Sequence, residues 1–193
     1  MVRLSPFLAA VTLSAAVLLG NVPRALGQSA SAPDLVVAAQ PATLFAPTFT
    51  VAGLVATTRS FSADDLQALP QMTLPVTFGA GGSVETGVFT GPRLLDVLDA
   101  AGGPQFPAGK NARLRTYVLA TGADGYQAVV AWGELDPAFG VDPVLVAWSR
   151  DGAALGDGQG MARLVVPQDK VGGRHVATLS RLELRDGSGT PAK

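Results

Sequence analysis

Apolar and polar positions alternate along much of the chain, and the alternation predicts short strands. Phe49 to Ala56 reads as a first strand ending near Gly53. Met72, Leu74, Val76 and Phe78 alternate with Thr73, Pro75 and Thr77, the period of a half-buried strand. Pro75 assigns that strand to a sheet edge or a bulge, because proline cannot donate to a ladder. Arg113 to Ala120 alternates again, with Leu114, Val118 and Ala120 on one side. Asp124-Gly125 is a turn signal and Tyr126 to Val130 returns as a strand, which predicts a hairpin. Val144 to Trp148 is a near-continuous apolar run, as in a buried strand, and Asp151-Gly152 turns the chain after it. Arg163 to Val166 and Val176 to Leu184 complete the strands.

Helical patterns are few. Ser62 can cap a short helix, with Asp65 at the third helical position, and Pro70 ends it. Thr90-Gly91-Pro92 predicts a second helix start with Pro92 as its first residue. Leu94, Leu95, Val97, Leu98 and Ala101 form its apolar face, and Gly102-Gly103 ends it. Ala80 to Thr86 is glycine-rich and reads as irregular. The fold class expected is α+β: mostly β, in mixed sheets, with two short helices and no internal repeat.

The first residues carry a different pattern. Arg3 precedes an apolar stretch from Leu4 to Gly20, and Ala25-Leu26-Gly27 places small residues where a signal peptidase reads. Residues 1–27 are expected to be a cleavable export signal, with mature protein starting between Gln28 and Pro33. Residues 28–47 are expected to be a linker, 48–186 the folded domain and 187–193 a disordered polar tail. The expected location is the periplasm or outside the cell, as a soluble domain without stable membrane insertion.

Composition sharpens this. Of 193 residues, 23 are Gly and 14 are Pro, which suits turns and short strands. Arg3 and Arg24 are the only charges in 1–27, so losing that segment takes the formal net charge from −1 to −3. A mildly acidic domain argues against nucleic acid, which requires clustered cations. There is no cysteine, which excludes disulfides, thiolate ligands and a cysteine nucleophile.

Candidate chemistry is sparse. Gly156-Asp157-Gly158-Gln159-Gly160 lacks the strand–helix context and the Lys-Ser/Thr of a phosphate loop, so it reads as a connection. His175 is the only histidine; no Gly-x-Ser-x-Gly elbow accompanies it, and zinc would need more ligands. The carboxylates Asp64, Asp65, Asp96, Asp99, Glu134 and Asp136 show no spacing that sets them apart from solvated residues. Arg163, Lys170, Arg174 and His175 form one local basic group around Gly172-Gly173. Turn amides with two or three cations can hold an anion, and the other reading is a solvated loop.

In order, the segments VAGLV, FSADDLQALPQMTLPVTF, TGPRLLDVLDAAG, ATGADGYQAVV, DPVLVAWSRDGAAL, MARLVVP and VATLSRLEL resemble the molybdopterin-binding domain of the sulfite oxidase family, over about residues 49 to 185. The resemblance implies a mostly β domain that holds molybdenum through a pterin dithiolene and one cysteine thiolate. It places that cysteine near Gly79-Ala80, where this chain has none. It places a Lys-Trp pair at Ala177-Thr178. It assigns the loop from Gln168 to His175 to the anionic end of the cofactor. The cofactor-facing residues it implies here are Gly79, Ala80, Asp124, Tyr126, Arg163, Lys170, Arg174 and His175.

A soft thiolate fixes this metal's coordination, and glycine cannot replace it. The leader also has one arginine, whereas a twin-arginine signal exports proteins already folded around a cofactor. The expectation is therefore an exported, non-catalytic relative with no catalytic residue, no metal ligand and no cofactor. It would bind a small anionic ligand or an exported protein partner. The alternatives are a molybdopterin-dependent oxidoreductase with altered ligation, and an assembly factor that uses an exposed sheet edge.

Overall fold

The computed structural model describes residues 47–139, 143–156 and 158–189. The expected signal, almost all of the expected linker and most of the expected tail lie outside these residues.

Three sheets build the domain. The largest has five strands in the order β2-β1-β11-β5-β6, formed by β1 (Phe49–Gly53), β2 (Arg59–Phe61), β5 (Thr116–Gly122), β6 (Gln127–Ala131) and β11 (Leu179–Asp186). β1 runs parallel to β11 and the other pairings are antiparallel, so the sheet is mixed. A four-stranded sheet runs β3-β4-β8-β9, from β3 (Met72–Ala80), β4 (Ser83–Gly91), β8 (Ser149–Arg150) and β9 (Ala153–Ala154). The third is the pair β10 (Arg163–Val165) and β7 (Leu145–Ala147).

Burial follows the alternation. Phe49, Val51, Val118, Ala120, Val130, Leu182 and Leu184 join the apolar face of α2 (Leu94–Ala100) in the main core. Val76, Phe78 and Phe89 of the hairpin form a second cluster with Leu145, Ala147 and Val165. The α+β class holds, with three short α-helices among the described residues rather than two: α1 (Ala63–Gln67), α2 and α3 (Trp132–Leu135). α1 starts as the sequence implies. Ser62 Oγ accepts the Asp65 N–H, and an Asp65 carboxylate oxygen accepts the Ser62 N–H at 2.9 Å.

Several local expectations are corrected. Residues 83–86 belong to β4, in register with β3 through Ala80↔Ser83 and Gly79↔Val84. Gly81 and Gly82 have φ of 57° and 85°, the left-handed pair a two-residue hairpin turn requires. The glycines read as irregular are therefore the hairpin's own signal. Pro92 is not the first helical residue. The carbonyls of Thr90 and Pro92 accept the N–H groups of Trp148 and Val146, which hold this segment extended along β7, and α2 begins two residues later. Gly91 allows that approach: a Cβ there would lie 2.2 Å from the Val146 carbonyl oxygen. Ala112–Arg115 form a 3-10 turn after left-handed Asn111, and the strand expected from Arg113 starts at Thr116.

Pro75 sits where the lattice of hydrogen bonds can spare a donor. Gly79 gives its N–H away from β4, to the Lys170 carbonyl at 2.8 Å. Groups two residues apart point the same way along a strand, so the donor missing at Pro75 is also an outward one. β3 is accordingly an edge strand.

Candidate functional site

The last strands are joined to the rest by a change of partner. Val176 exchanges two backbone hydrogen bonds with Leu164, and Leu179 then opens β11, so the strand expected from Val176 begins three residues later. Thr178 makes the transition at φ 46°, a left-handed conformation that costs a β-branched residue strain. Its N–H donates to the Gln159 carbonyl and its carbonyl accepts the Ala123 N–H. Gly160 packs so closely that a Cβ would lie 2.6 Å from Thr178 Cα. Three connections, 122–126, 158–160 and 172–178, are thereby tied at one residue.

The segment from Gln168 to His175 bridges the hairpin sheet and the five-stranded sheet. On the hairpin side, Lys170 accepts from Gly79, and Gly172 lies flat on the Phe78 ring, where a Cβ would be 2.7 Å from a ring carbon. On the other side, the Tyr126 hydroxyl donates to the Gly173 carbonyl. Asp124 shapes the turn that carries Tyr126, its carboxylate accepting the Tyr126 N–H at 2.9 Å.

Arg174 is not the free cation an anion site needs. Its guanidinium forms a paired contact with Asp169 at 2.6 and 2.8 Å and a third bond to Glu134 of α3 at 2.7 Å. Hydrogen bonds to Asp169, then to Glu134, raise its pKa well above the ordinary arginine value. In this structure its charge is met by two carboxylates within the chain, which fastens the segment.

His175 is buried, with the edge of Phe78 at 4.3 Å between ring centroids. Nε2 lies 3.0 Å from the Val166 carbonyl, so Nε2 carries the proton and donates, and Nδ1 is left with no partner. Burial first, then the charges of Arg163 and Arg174, push its pKa below 6.5; the Val166 bond and Asp169 oppose them. It is neutral at pH 7, and so adds no charge to an anion site.

Arg163 is the group that stands out. It is only 8% exposed. Its guanidinium carbon lies 5.5 Å from the Phe78 ring centroid and 5.8 Å from that of Phe89. Nη1 donates to Gln159 Oε1 at 2.5 Å, and Nε has no partner. No ion pair with a carboxylate forms among the described residues; Glu85 acts at longer range and is itself paired with Arg150 at 3.2 Å. Desolvation lowers the Arg163 pKa, and Arg150 adds to the effect.

Of the eight residues the resemblance implies, Arg163 and His175 pack against the Phe78 ring, Gly79 and Lys170 share a backbone hydrogen bond next to it, and Tyr126 and Arg174 fix the bridging segment. Ala80 ends β3 at the hairpin turn. Lys170 contributes its carbonyl while its side chain lies exposed. Phe78, Gln159, Asp169, Glu134 and Thr178 complete the constellation and were not singled out as its members. Glu134 was weighed only among scattered carboxylates, because the contact that defines it spans 40 residues. The structure also has a shallow open hollow of about 170 Å³ elsewhere, lined by Met72, Leu95, Leu135, Pro137 and Pro143.

The donor set does not fit a molybdenum ion ligated by the protein. Gly79 and Ala80 present no donor atom, and the chain has no thiol. Among the described residues, no three His, Asp or Glu side chains converge on a metal position. Space is not the obstacle: a Cβ at Gly79 would meet only ordinary contacts, 3.5 Å from the Lys170 carbonyl and 3.9 Å from Val171.

The domain model described as oxidoreductase molybdopterin binding domain matches residues 43–190. The nitrate reductase [NADPH] of Mycosarcoma maydis is 32% identical in a match covering 70% of this chain and 17% of that protein. Among solved structures, the sulfane dehydrogenase SoxCD from Paracoccus pantotrophus matches with a TM-score of 0.59 at 21% identity, over 72% of this chain and 38% of that one. At that identity the likeness is one of fold, and the chain spans less than half the length of either relative. The chain belongs to the oxidoreductase molybdopterin-binding domain family of sulfite oxidase type.

Proposed function

We propose that this chain is exported by a cleavable signal and acts as a non-catalytic member of its family, a module that binds a small anionic ligand without a redox metal. The observation that carries the reading is the coupling of two features around Phe78. The position near which a thiolate would anchor molybdenum is glycine, and a buried guanidinium with no carboxylate partner packs against the ring of the neighbouring Phe78. A buried cation without a carboxylate costs several kcal/mol. An anion seated against Arg163 would offset that cost and occupy its open Nε–H. Binding needs movement of Gln159 or of the bridging segment, since Arg163 is covered as it stands.

The test is calorimetric titration with inorganic phosphate, and in parallel with a pterin phosphate, on the protein and on Arg163→Gln and Lys170→Ala. A charge-assisted contact contributes about 1.5–3 kcal/mol, so Arg163→Gln should weaken binding roughly tenfold to a hundredfold. Lys170→Ala should leave it nearly unchanged. If neither probe binds, or both variants bind as the parent does, the anion reading fails and the module rests on protein partners. The second reading, a molybdopterin-dependent oxidoreductase with altered ligation, draws on family membership and requires stoichiometric molybdenum.

A further inference from the structure

Arg163 has a second arginine for a neighbour. Phe78 and Glu85 stand directly opposite each other across the β3–β4 hairpin, and Phe89 stands opposite Arg150 of β8. All four side chains therefore leave the same, inward face of that sheet, where Arg163 packs against both rings. Arg150 also lies over Phe89, its guanidinium carbon 5.4 Å from the ring centroid. From there it reaches along β4 to Glu85 at 3.2 Å and to the Thr86 carbonyl at 3.0 Å. Gly87 makes the reach possible. A Cβ there would lie 2.6 Å from Arg150 Nε, while the φ of Gly87 lies outside the left-handed region. The glycine answers the arginine that crosses it, not the backbone.

Glu85 is thus a carboxylate set beside two cations and bonded to one. Among the described residues its side chain has no partner but Arg150. The other carboxylate near Arg150, Asp151 at 3.4 Å, is committed to its own turn through the Val88 N–H at 2.8 Å. The Glu85 and Arg150 side chains are 39% and 26% exposed, whereas Arg163 is buried. A partly exposed ion pair is weak, so Glu85 can leave Arg150 readily. We propose that Arg150 completes the anion site at Arg163, and that Glu85 holds the ligand's place while the site is empty. The inference rests on the reading that Arg163 binds an anion, and adds to it a second cation and an internal competitor. The ligand class is a small oxyanion such as inorganic phosphate. It displaces Glu85, accepts from the Arg150 guanidinium, and meets the open Nε–H of Arg163 as Gln159 yields. One negative charge leaves the two arginines as another arrives, so neither guanidinium is left uncompensated.

Calorimetric titration with inorganic phosphate on Glu85→Gln and Arg150→Gln, beside the parent and Arg163→Gln, tests this. Glu85→Gln removes the competing charge and keeps the size of the side chain. It should tighten phosphate binding about fivefold, as expected for loss of an exposed ion pair. Arg150→Gln should weaken binding roughly tenfold. Asp64→Asn on α1 and Arg185→Gln on β11 change the net charge by the same amounts elsewhere, and should bind as the parent does. Should Arg150→Gln fail to fold, NMR of the arginine Nε–H groups in the parent replaces it: phosphate should shift the Arg150 signal together with that of Arg163. Phosphate binding that Arg163→Gln weakens, but that Glu85→Gln leaves at the parent's affinity, overturns the inference and leaves the Arg163 reading standing. So does equal tightening by Glu85→Gln and Asp64→Asn, or an Arg150 signal that phosphate does not move. Phosphate that binds neither the parent nor Glu85→Gln overturns both.

Discussion

A single histidine makes part of the fold's pH dependence readable. His175 is held neutral because its ring is buried, beside Arg163 and Arg174, with Nε2 already committed to the Val166 carbonyl. The folded-state pKa lies below 6.5, so folding favours the neutral form. This contribution is complete above about pH 6.5, falls as pH drops from there toward the folded value, and is lost below it. Over that window the His175 part of the slope has an upper limit of about 1.4 kcal/mol per pH unit. Urea midpoints measured across pH 7.5 to 4.5 (a range set by the ordinary histidine value) should fall on the acid side. His175→Gln should flatten that portion, and an unchanged profile would show that another group governs it. At this scale the sequence identified Arg163, Arg174 and His175 as a group but not their states. Arg174 and Arg163 are both arginines near Gly172-Gly173, yet one meets two carboxylates and the other meets two phenylalanine rings. Asp169 lies five residues from Arg174, but Glu134, Phe78 and Phe89 are distant in sequence, and spacing alone does not assign them.

Elements show the same division between local and distant causes. β3, the α1 cap and the β5–β6 hairpin were legible because their signals are local: alternation, Ser62 with Asp65, and Asp124-Gly125. β4 was not, because its outward positions are Val84, Thr86, Val88 and Thr90, while the inward Glu85 pairs with Arg150 and Gly87 makes room for that side chain. The start of α2 was displaced because β7 captures the carbonyls of Thr90 and Pro92. The segment Gln168–His175 lies between two strands, as the sequence implies, but its bridging of two sheets depends on partners 40 to 91 residues away. Arg174 is the main fastening of that bridge. Its own side chain is 34% exposed and that of Glu134 41%, so solvent screens part of the pairing, while Asp169 is more buried. Arg174→Ala should raise amide exchange across 168–175 by roughly tenfold, with Lys170→Ala near the parent. Equal exchange in all three proteins would mean that Tyr126 and the Gly79 hydrogen bond suffice.

For the molecule as a whole, family and chemistry separate. The scaffold comprises a mixed five-stranded sheet, an edge hairpin, and a chain crossing at Thr178 that gathers three connections. A fold by itself carries no activity, and the resemblance ties the metal centre to one cysteine thiolate. The missing thiol was legible from composition alone, and the structure adds that its position has room for a side chain yet no donor. Export of the mature domain through a signal at 1–27 is part of the same proposal, since a single-arginine leader suits a protein that folds without a cofactor. The most direct test of the account is molybdenum and pterin content, measured together on the protein purified from its native exported compartment. The expected result is no stoichiometric molybdenum and a mature start between Gln28 and Pro33. About one molybdenum per chain, with pterin, would contradict the account and establish the oxidoreductase reading in its place.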